Sequence, residues 1–383
     1  MTDQIIRLRA SDFDEAIDVM NRSFREHEPH DFEKLLPSMY QRTDERMCHN
    51  HAIRRDGRIV ALLGIFPIEW CVGDARLRMA GIGGVATDPN SRGQGFMKQL
   101  MTHAVEFIRQ EGYDLSYLGG QRQRYAYFGW ESGGVAWDFH VIPKNIQHAL
   151  GVEAAAGITF APMSGDSEAL RAAKLIHDSQ VLHCDRPADL FEHVLHDWNM
   201  HPHAARDAAG TVVGYVVVAE QSGQWNELVA QDTDTALAMI HSWVRQKQSA
   251  ARVQVPALPD PLAQRVGQFA ERALVCHTGN WQIFNWPATL DALLRVRHGA
   301  QPLAPGSVVL RIAGRTMRLE VADRGARCSV CEDAPDLETD AHTAVRALFG
   351  PTSPSGVLEL PRQAVILNAW CPLPLSIPFQ DHV

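Results

Sequence analysis

The chain has 383 residues, 45% hydrophobic and 21% charged, the composition of a folded protein able to bury a sizeable core without disulfide or metal staples. A net charge of −9 argues against a broad attraction to nucleic acid or to an anionic membrane. No apolar run approaches the ~18 residues of a membrane-spanning helix, the start carries Asp3 and no uninterrupted apolar stretch, and seven scattered cysteines form no disulfide framework, so a reduced, cytoplasmic protein is expected.

Ile5 to Leu8 reads as a short strand, and Ser11, with Asp14 three residues on, as the cap of a helix. Phe13, Ile17, Met20 and Phe24 recur at helical spacing and give that helix its buried face. A second amphipathic segment carries Phe32, Leu35, Leu36 and Met39. Asp56-Gly57 suits a tight turn with positive φ, which predicts a hairpin from Ala52 to Ala61 whose second strand continues to Phe66. A strand near Leu77 to Ala80, a glycine-rich apolar strand from Ala80 to Thr87, a loop, a helix with Met97, Leu100, Met101, Ala104, Val105 and Ile108 on one face, and a strand from Asp114 to Leu118 complete this part.

Residues 155–298 repeat the order hairpin, strand, helix, strand more faintly, as a diverged duplicate would. Gly299-Ala300-Gln301-Pro302 reads as a linker to a third part, with a hairpin about Ala313-Gly314-Arg315 and a helix from His342 to Phe349. Trp370, Leu373, Leu375, Ile377 and Phe379, stiffened by prolines, make the end of the chain a packed segment rather than a free tail. Cys328-Ser-Val-Cys331 and Cys48-His49-Asn50-His51 each lack the partner ligands that zinc requires, so no metal is expected.

The chemistry concentrates between Val85 and Lys98. A strand stops at Asp88-Pro89 and a helix starts near Gly95, with Gly93 and Gly95 able to turn tightly and approach an anion. Unpaired N–H groups at the helix start, its dipole and the charge of Arg92 together make a pyrophosphate cradle. There is no Gly-Lys-Ser/Thr of a P-loop, and the glycine spacing fails the dinucleotide fingerprint. The corresponding middle segment, Val229-Ala230-Gln231-Asp232-Thr233-Asp234, has no glycine and no arginine; its acids suit the helix dipole themselves and would repel pyrophosphate.

Arg92-Gly93-Gln94-Gly95-Phe96 after Gly84-Val85-Ala86-Thr87 resembles the coenzyme A-binding motif of the GNAT acyltransferase superfamily, although the first position of its signature departs from the strict pattern. Leu118-Gly119-Gly120-Gln121-Arg122-Gln123-Arg124-Tyr125-Ala126-Tyr127-Phe128-Gly129-Trp130 resembles the segment after the fifth strand in the Eis-like branch. The resemblance implies an α/β fold of tandem GNAT-like mixed sheets and a sterol-carrier-like end: a catalytic domain at 1–150, a degenerate GNAT-like domain at 151–300 and a C-terminal domain at 301–383. It implies transfer of acetyl from acetyl-CoA to a primary amine by direct attack, with Val85, Ala86, Thr87, Arg92, Gly93, Gln94, Gly95, Phe96, Met97, Lys98, Gly120 and Gln121 binding the donor.

In that family the tyrosine at the position of Tyr125 protonates the departing thiolate, and the terminal carboxylate, here that of Val383, takes a proton from the incoming ammonium. Asp381 and His382 are rivals for the second task, and Tyr127 is expected to pack beneath the sheet. Phe24 to Leu36, with Glu26, Glu28, Asp31 and Glu33, is the candidate acceptor side for an amine-bearing small molecule or a lysine. A longer acyl donor, or a silent scaffold binding acyl-CoA or a small apolar ligand, is the alternative. Relatives assemble, and the resemblance leaves a homo-oligomer open.

Overall fold

The computed structural model describes residues 4–25, 31–150, 157–219, 224–256, 258 and 261–383. Asp56 and Gly57 take φ of 49° and 79°, the mirror-image turn that Asp-Gly predicts, joining the strands Asn50–Arg55 and Arg58–Val72. Arg58–Val72 returns through Gly73 into Ala75–Thr87, so the two strands expected around Ala80 are one continuous strand. The helix Phe13–Phe24 buries Phe13, Ile17 and Met20 on one face of this sheet, and Phe96–Gln110 buries Leu100, Met101, Ala104 and Ile108 on the other. Ser11 is not the helix cap. It falls within a 3-10 turn, Ala10–Asp12, where the Asp12 carboxylate accepts the Arg9 N–H at 2.8 Å. A charged acceptor binds that N–H more strongly than a hydroxyl would, and its other oxygen holds Arg54 at 2.6 Å.

The described strands form three sheets. The first has the order Ile5–Arg7, Asn50–Arg55, Arg58–Val72, Ala75–Thr87, Leu115–Leu118, Gly279–Ile283, Glu131–Gly133, with Leu182–Cys184 paired to the far end of Arg58–Val72. The second runs Arg272–Cys276, Ala136–Val141, Ala251–Pro256, Gln224–Ala230, Val212–Val218, His201–Arg206, Thr159–Pro162. Each contains one parallel pair, Ala75–Thr87 with Leu115–Leu118 and Gln224–Ala230 with Ala251–Pro256. A helix, Phe96–Gln110 or Thr233–Lys247, makes each crossover, as parallel pairing requires.

The two sheets also exchange a strand. Gly279–Ile283 enters the first sheet beside Leu115–Leu118, and Ala136–Val141 enters the second beside Ala251–Pro256, at the equivalent place. A strand's alternation specifies which of its faces is buried and not which sheet supplies the neighbours, so the exchange had no local signature.

The third sheet has the order Gly325–Val330, Arg315–Ala322, Gly306–Ile312, Leu337–Thr339. Gly299 and Ala300 are not a linker. They finish the helix Trp286–Ala300, whose Leu290, Leu293 and Leu294 share one core with Val308, Leu310 and Leu319 of the third sheet and Trp70 and Leu77 of the first. Packing of that apolar face outweighs the weak helix propensity of a single glycine. Trp370, Leu373, Leu375 and Ile377 are buried, as the apolar, proline-rich end of the chain predicts.

A fragment ending at residue 135 lacks Gly279–Ile283 and leaves Leu115–Leu118 as an open edge. It is expected to show no cooperative thermal transition by far-UV circular dichroism, where the full chain shows one. A sharp transition in the fragment would show that the exchanged strand is dispensable to the first sheet.

Candidate active site

Ala75–Thr87 and Leu115–Leu118 pair only from Met79 opposite Leu115 to Ile82 opposite Leu118. The first strand runs on to Thr87, whereas the second leaves the sheet at Gly119 and Gly120. The main chain from Gly83 to Thr87 therefore borders a wedge on that side, among the described strands. Ala86 is buried and Val85 and Thr87 half-buried along it.

At the end of the wedge the chain crosses to the helix Phe96–Gln110 through Gly93 and Gly95, both in the left-handed region at φ 79° and 81°. A Cβ on either would meet nothing within 4 Å, so the requirement for glycine here is conformational and the loop faces open space. The first helical bond runs from the Gln99 N–H to the Gly95 carbonyl at 3.1 Å, which leaves Phe96, Met97 and Lys98 ahead of the first completed turn. Gln94 is exposed, and Arg92, also exposed, bonds the Ser23 carbonyl at 3.1 Å. Arg55, not singled out from sequence, donates to the Gln94 side chain and lies 4.7 Å over the Phe96 ring. Its signal is its place beside the Asp56-Gly57 turn, which carries it to the same loop.

Gln121 precedes the short helix Arg122–Ala126, which carries Tyr125. Gly120 has φ 94°, and a Cβ on it would lie 3.1 Å from Cε2 of Tyr125, so the phenol ring rests against this turn. Asn280, on the exchanged strand, donates from Nδ2 to the carbonyls of Leu118 at 3.4 Å and Gly120 at 3.1 Å, and accepts from Ser132 at 3.0 Å. Burial raises the Tyr125 pKa above its ordinary value against the opposing influence of Arg124, which keeps the phenol protonated at neutral pH. Tyr127 does not pack beneath the sheet. It is 69% exposed, with Lys98 Nζ 5.3 Å over its ring, because the short helix turns the two rings to different sides.

The end of the chain reaches the same strand. A Cβ on Gly81 would lie 2.8 Å from Cγ2 of Val383, and one on Gly83 would lie 2.7 Å from the Val383 carboxyl carbon. The terminal carboxyl group thus sits against Gly83, the first residue past the parallel pairing. His382 Nδ1 is 2.9 Å from the Tyr117 hydroxyl, and burial lowers the imidazole pKa to about 3, which leaves the ring neutral. Asp381 makes a bidentate bond to Arg186, both contacts at 2.8 Å.

A cavity of about 370 Å³ opens from Val383 past Phe66 and Ile68 toward Arg46, His49 and Asp185. The acids expected to face an acceptor do not line it: Asp31 pairs with Lys34 at 2.9 Å, and Glu33 lies 3.8 Å from Arg42. Glu26 and Glu28 lie outside the described residues. Ion pairing with nearby bases satisfied those acids locally, which charge counting along the chain could not show. In the second sheet, the Asp232 carboxylate accepts the Thr235 N–H at 2.7 Å, at the place where the first sheet has its glycine loop.

Residues 4–133, which include the wedge, the glycine loop and Tyr125, match the family described as Acetyltransferase (GNAT) domain. This part of the chain is similar to a GNAT acetyltransferase domain. A search of curated proteins gave no significant match. Among solved structures, the chain is similar over 99% of its length to a GCN5-related N-acetyltransferase from Kribbella flavida, covering 98% of that chain at 20% identity and TM-score 0.64. It is also similar to Eis1 from Mycobacterium abscessus, over 99% of this chain and 100% of that one at 14% identity and TM-score 0.66. A protein from Enterococcus faecalis V583 described as a probable N-acyltransferase matches over 100% of both chains at 15% identity and TM-score 0.68. These likenesses show the fold: mixed sheets flanked by helices in a GNAT-like arrangement. Among the described residues, no helix is long and apolar enough to cross a membrane, and no group of three or more His, Cys, Asp or Glu side chains is placed to hold a metal.

Gly95→Glu would force a side chain into the left-handed region, at roughly 1–2 kcal/mol, and put a negative charge at the helix start. It is expected to weaken acetyl-CoA binding at least tenfold by calorimetry. Unchanged affinity would remove this loop from the binding site.

Proposed function

We propose that the chain is an N-acetyltransferase that passes the acetyl group of acetyl-CoA to a primary amine by direct attack in a ternary complex. The reading assigns residues 1–150 as the catalytic unit, 151–300 as a GNAT-like unit with no site of its own, and 301–383 as a sterol-carrier-like unit. The observation that carries it is the terminal carboxyl group of Val383 seated at Gly83, at the head of the wedge.

Acetyl-CoA would supply the acyl group as an activated thioester. The main chain at Val85, Ala86 and Thr87 offers hydrogen-bonding groups to the donor's arm, and a backbone N–H there serves as the oxyanion donor. Arg92, Gly93, Gln94, Gly95, Phe96, Met97 and Lys98 hold the pyrophosphate by the unpaired helix-start N–H groups and the loop's positive charge. Gly120 and Gln121 border the donor opposite that strand. As the amine nitrogen bonds to the acyl carbon and the carbon–sulfur bond breaks, the Val383 carboxylate accepts the ammonium proton and the Tyr125 hydroxyl donates one to the thiolate. Asp381 is committed to Arg186, and His382 bonds Tyr117 through Nδ1 and keeps Nε2 without a partner; the reading favours the terminal carboxylate because it is the group seated at Gly83. The cavity among Leu310, Ile312 and Leu348 has a volume of about 10 Å³, room for about one water.

A panel of amines offered with acetyl-CoA and with longer acyl-CoAs, read by released thiol, tests the reading directly. Tyr125→Phe is expected to lower turnover by ~10²–10⁴, the usual worth of a positioned acid, with acetyl-CoA affinity little changed. Undiminished turnover would take Tyr125 out of the mechanism.

Two residues added after Val383 would carry the carboxylate ~7 Å along an extended chain, beyond the ~2.6–3.2 Å that proton transfer needs. Turnover should fall by a similar factor while acetyl-CoA still binds, and Gly83→Ala, whose methyl group would meet the carboxyl carbon, should act in the same direction. Wild-type rates in the extended chain would mean that the base lies elsewhere.

A further inference from the structure

Arg186 is 2% exposed and lies where three parts of the chain meet. It follows directly on Leu182–Cys184, the strand paired to Arg58–Val72 of the first sheet, and its guanidinium takes two carboxylates at once. Glu227, on Gln224–Ala230 of the second sheet, accepts from Nη1 at 3.0 Å and Nη2 at 2.9 Å. Asp381, two residues from the chain end, accepts from Nε and Nη2, both at 2.8 Å. One carboxylate would neutralise the arginine. A second must be stripped of water as well, a cost that a purely stabilising pair would avoid. The second carboxylate comes from the tail that ends at Gly83.

The neighbours of Asp381 are held from the same side. Gln380 donates to the Val194 carbonyl at 2.8 Å and accepts from Asn226 at 3.3 Å. The Trp198 indole N–H donates to the His382 carbonyl at 3.3 Å, and Trp198 does so from φ 65°, a region that a bulky residue rarely takes. Strained backbone of this kind persists where the surroundings over-determine it.

We propose that Arg186 is a positioning residue, a clamp supplied from beyond the catalytic unit that fixes the terminal carboxylate in the active site. The proposal rests on the reading of Val383 as the base. Asp381 is about 7 Å of extended chain from that carboxylate, so its bidentate bond leaves few torsions between the clamp and the reacting group. The second unit, whose own glycine loop is replaced by Asp232, thereby serves the first site by holding its base.

The test uses the full chain with Asp381→Asn, which keeps shape and leaves Arg186 paired with Glu227, beside Arg186→Gln and Glu227→Gln. Carboxypeptidase release of Val383 reads tail seating without any reference to activity. Intact protein should be resistant, whereas Asp381→Asn and Arg186→Gln should lose Val383 at least tenfold faster. In the transfer assay those two variants should lose 10²-fold or more in kcat, with KM for acetyl-CoA within about twofold of wild type; a merely structural defect would move both. Glu227→Gln, which keeps the Arg186–Asp381 bond, should stay within a few-fold of wild type. Asp381→Asn with wild-type kcat and wild-type resistance to carboxypeptidase would overturn the clamp and leave the transferase reading standing. Absence of transfer by the intact chain would overturn that reading itself.

Discussion

A guanidinium almost without solvent contact, shared between Glu227 of the second sheet and Asp381 of the tail, sets where the chain ends. Burial by itself would lower the Arg186 pKa, but the two carboxylates more than offset it and hold the group charged. Removing the shared guanidinium would leave two buried carboxylates uncompensated, a loss that for a broken buried pair is typically roughly 3–5 kcal/mol. The tail therefore has little freedom to settle elsewhere. Gly81 and Gly83 meet it with bare backbone, so the final valine and its carboxyl group lie directly on the strand that borders the wedge.

The other half of the site is held in a comparable way. The turn that precedes Tyr125 is bonded by Asn280, from a strand lying 160 residues beyond Gly120 in the chain. Both proton-handling groups of the proposed mechanism are thus placed by segments outside the GNAT domain match at residues 4–133. The glycine loop, by contrast, depends on local geometry, two positive-φ glycines and a helix start, and the match contains it entirely. The groups proposed for donor binding and for proton handling thus have separate structural origins. The reciprocal strand exchange ties the two large sheets together, and in the second an Asp232 cap stands at the place of the first sheet's glycine loop.

The glycine loop, the Asp56-Gly57 hairpin and the amphipathic faces of Phe13–Phe24 and Phe96–Gln110 were legible in the sequence, because each follows from a short-range rule about φ, turn chemistry or helical period. The packed chain end was legible too, since apolar residues between prolines have no reason to remain in water. Arg186 carried no such signal, and Arg55 only its place beside the Asp56-Gly57 turn: arginines are common, and neither has a spacing that marks a partner. Arg55 reaches the loop through the hairpin, and Arg186 meets Glu227 and Asp381 across 41 and 195 residues. Tyr125 and Tyr127 were both visible as candidates, but which ring is enclosed depends on how a helix of five residues sits on the sheet.

By itself the sequence determined the local conformations and the chemistry on offer: a strand, glycine loop and helix fit for an anion, a phenol two residues from a second one, and a tail too apolar to be free. These depend on neighbours within a few residues, where dihedral preference and hydrophobic period act directly. Only the tertiary structure decided which sheet receives Gly279–Ile283, that the acids at Asp31 and Glu33 are paired away from the cavity, and that Asp381 is bound to Arg186 while the Val383 carboxyl group reaches Gly83. Those outcomes turn on competition among distant partners for burial and for charge, and that competition is settled only when the whole chain is packed.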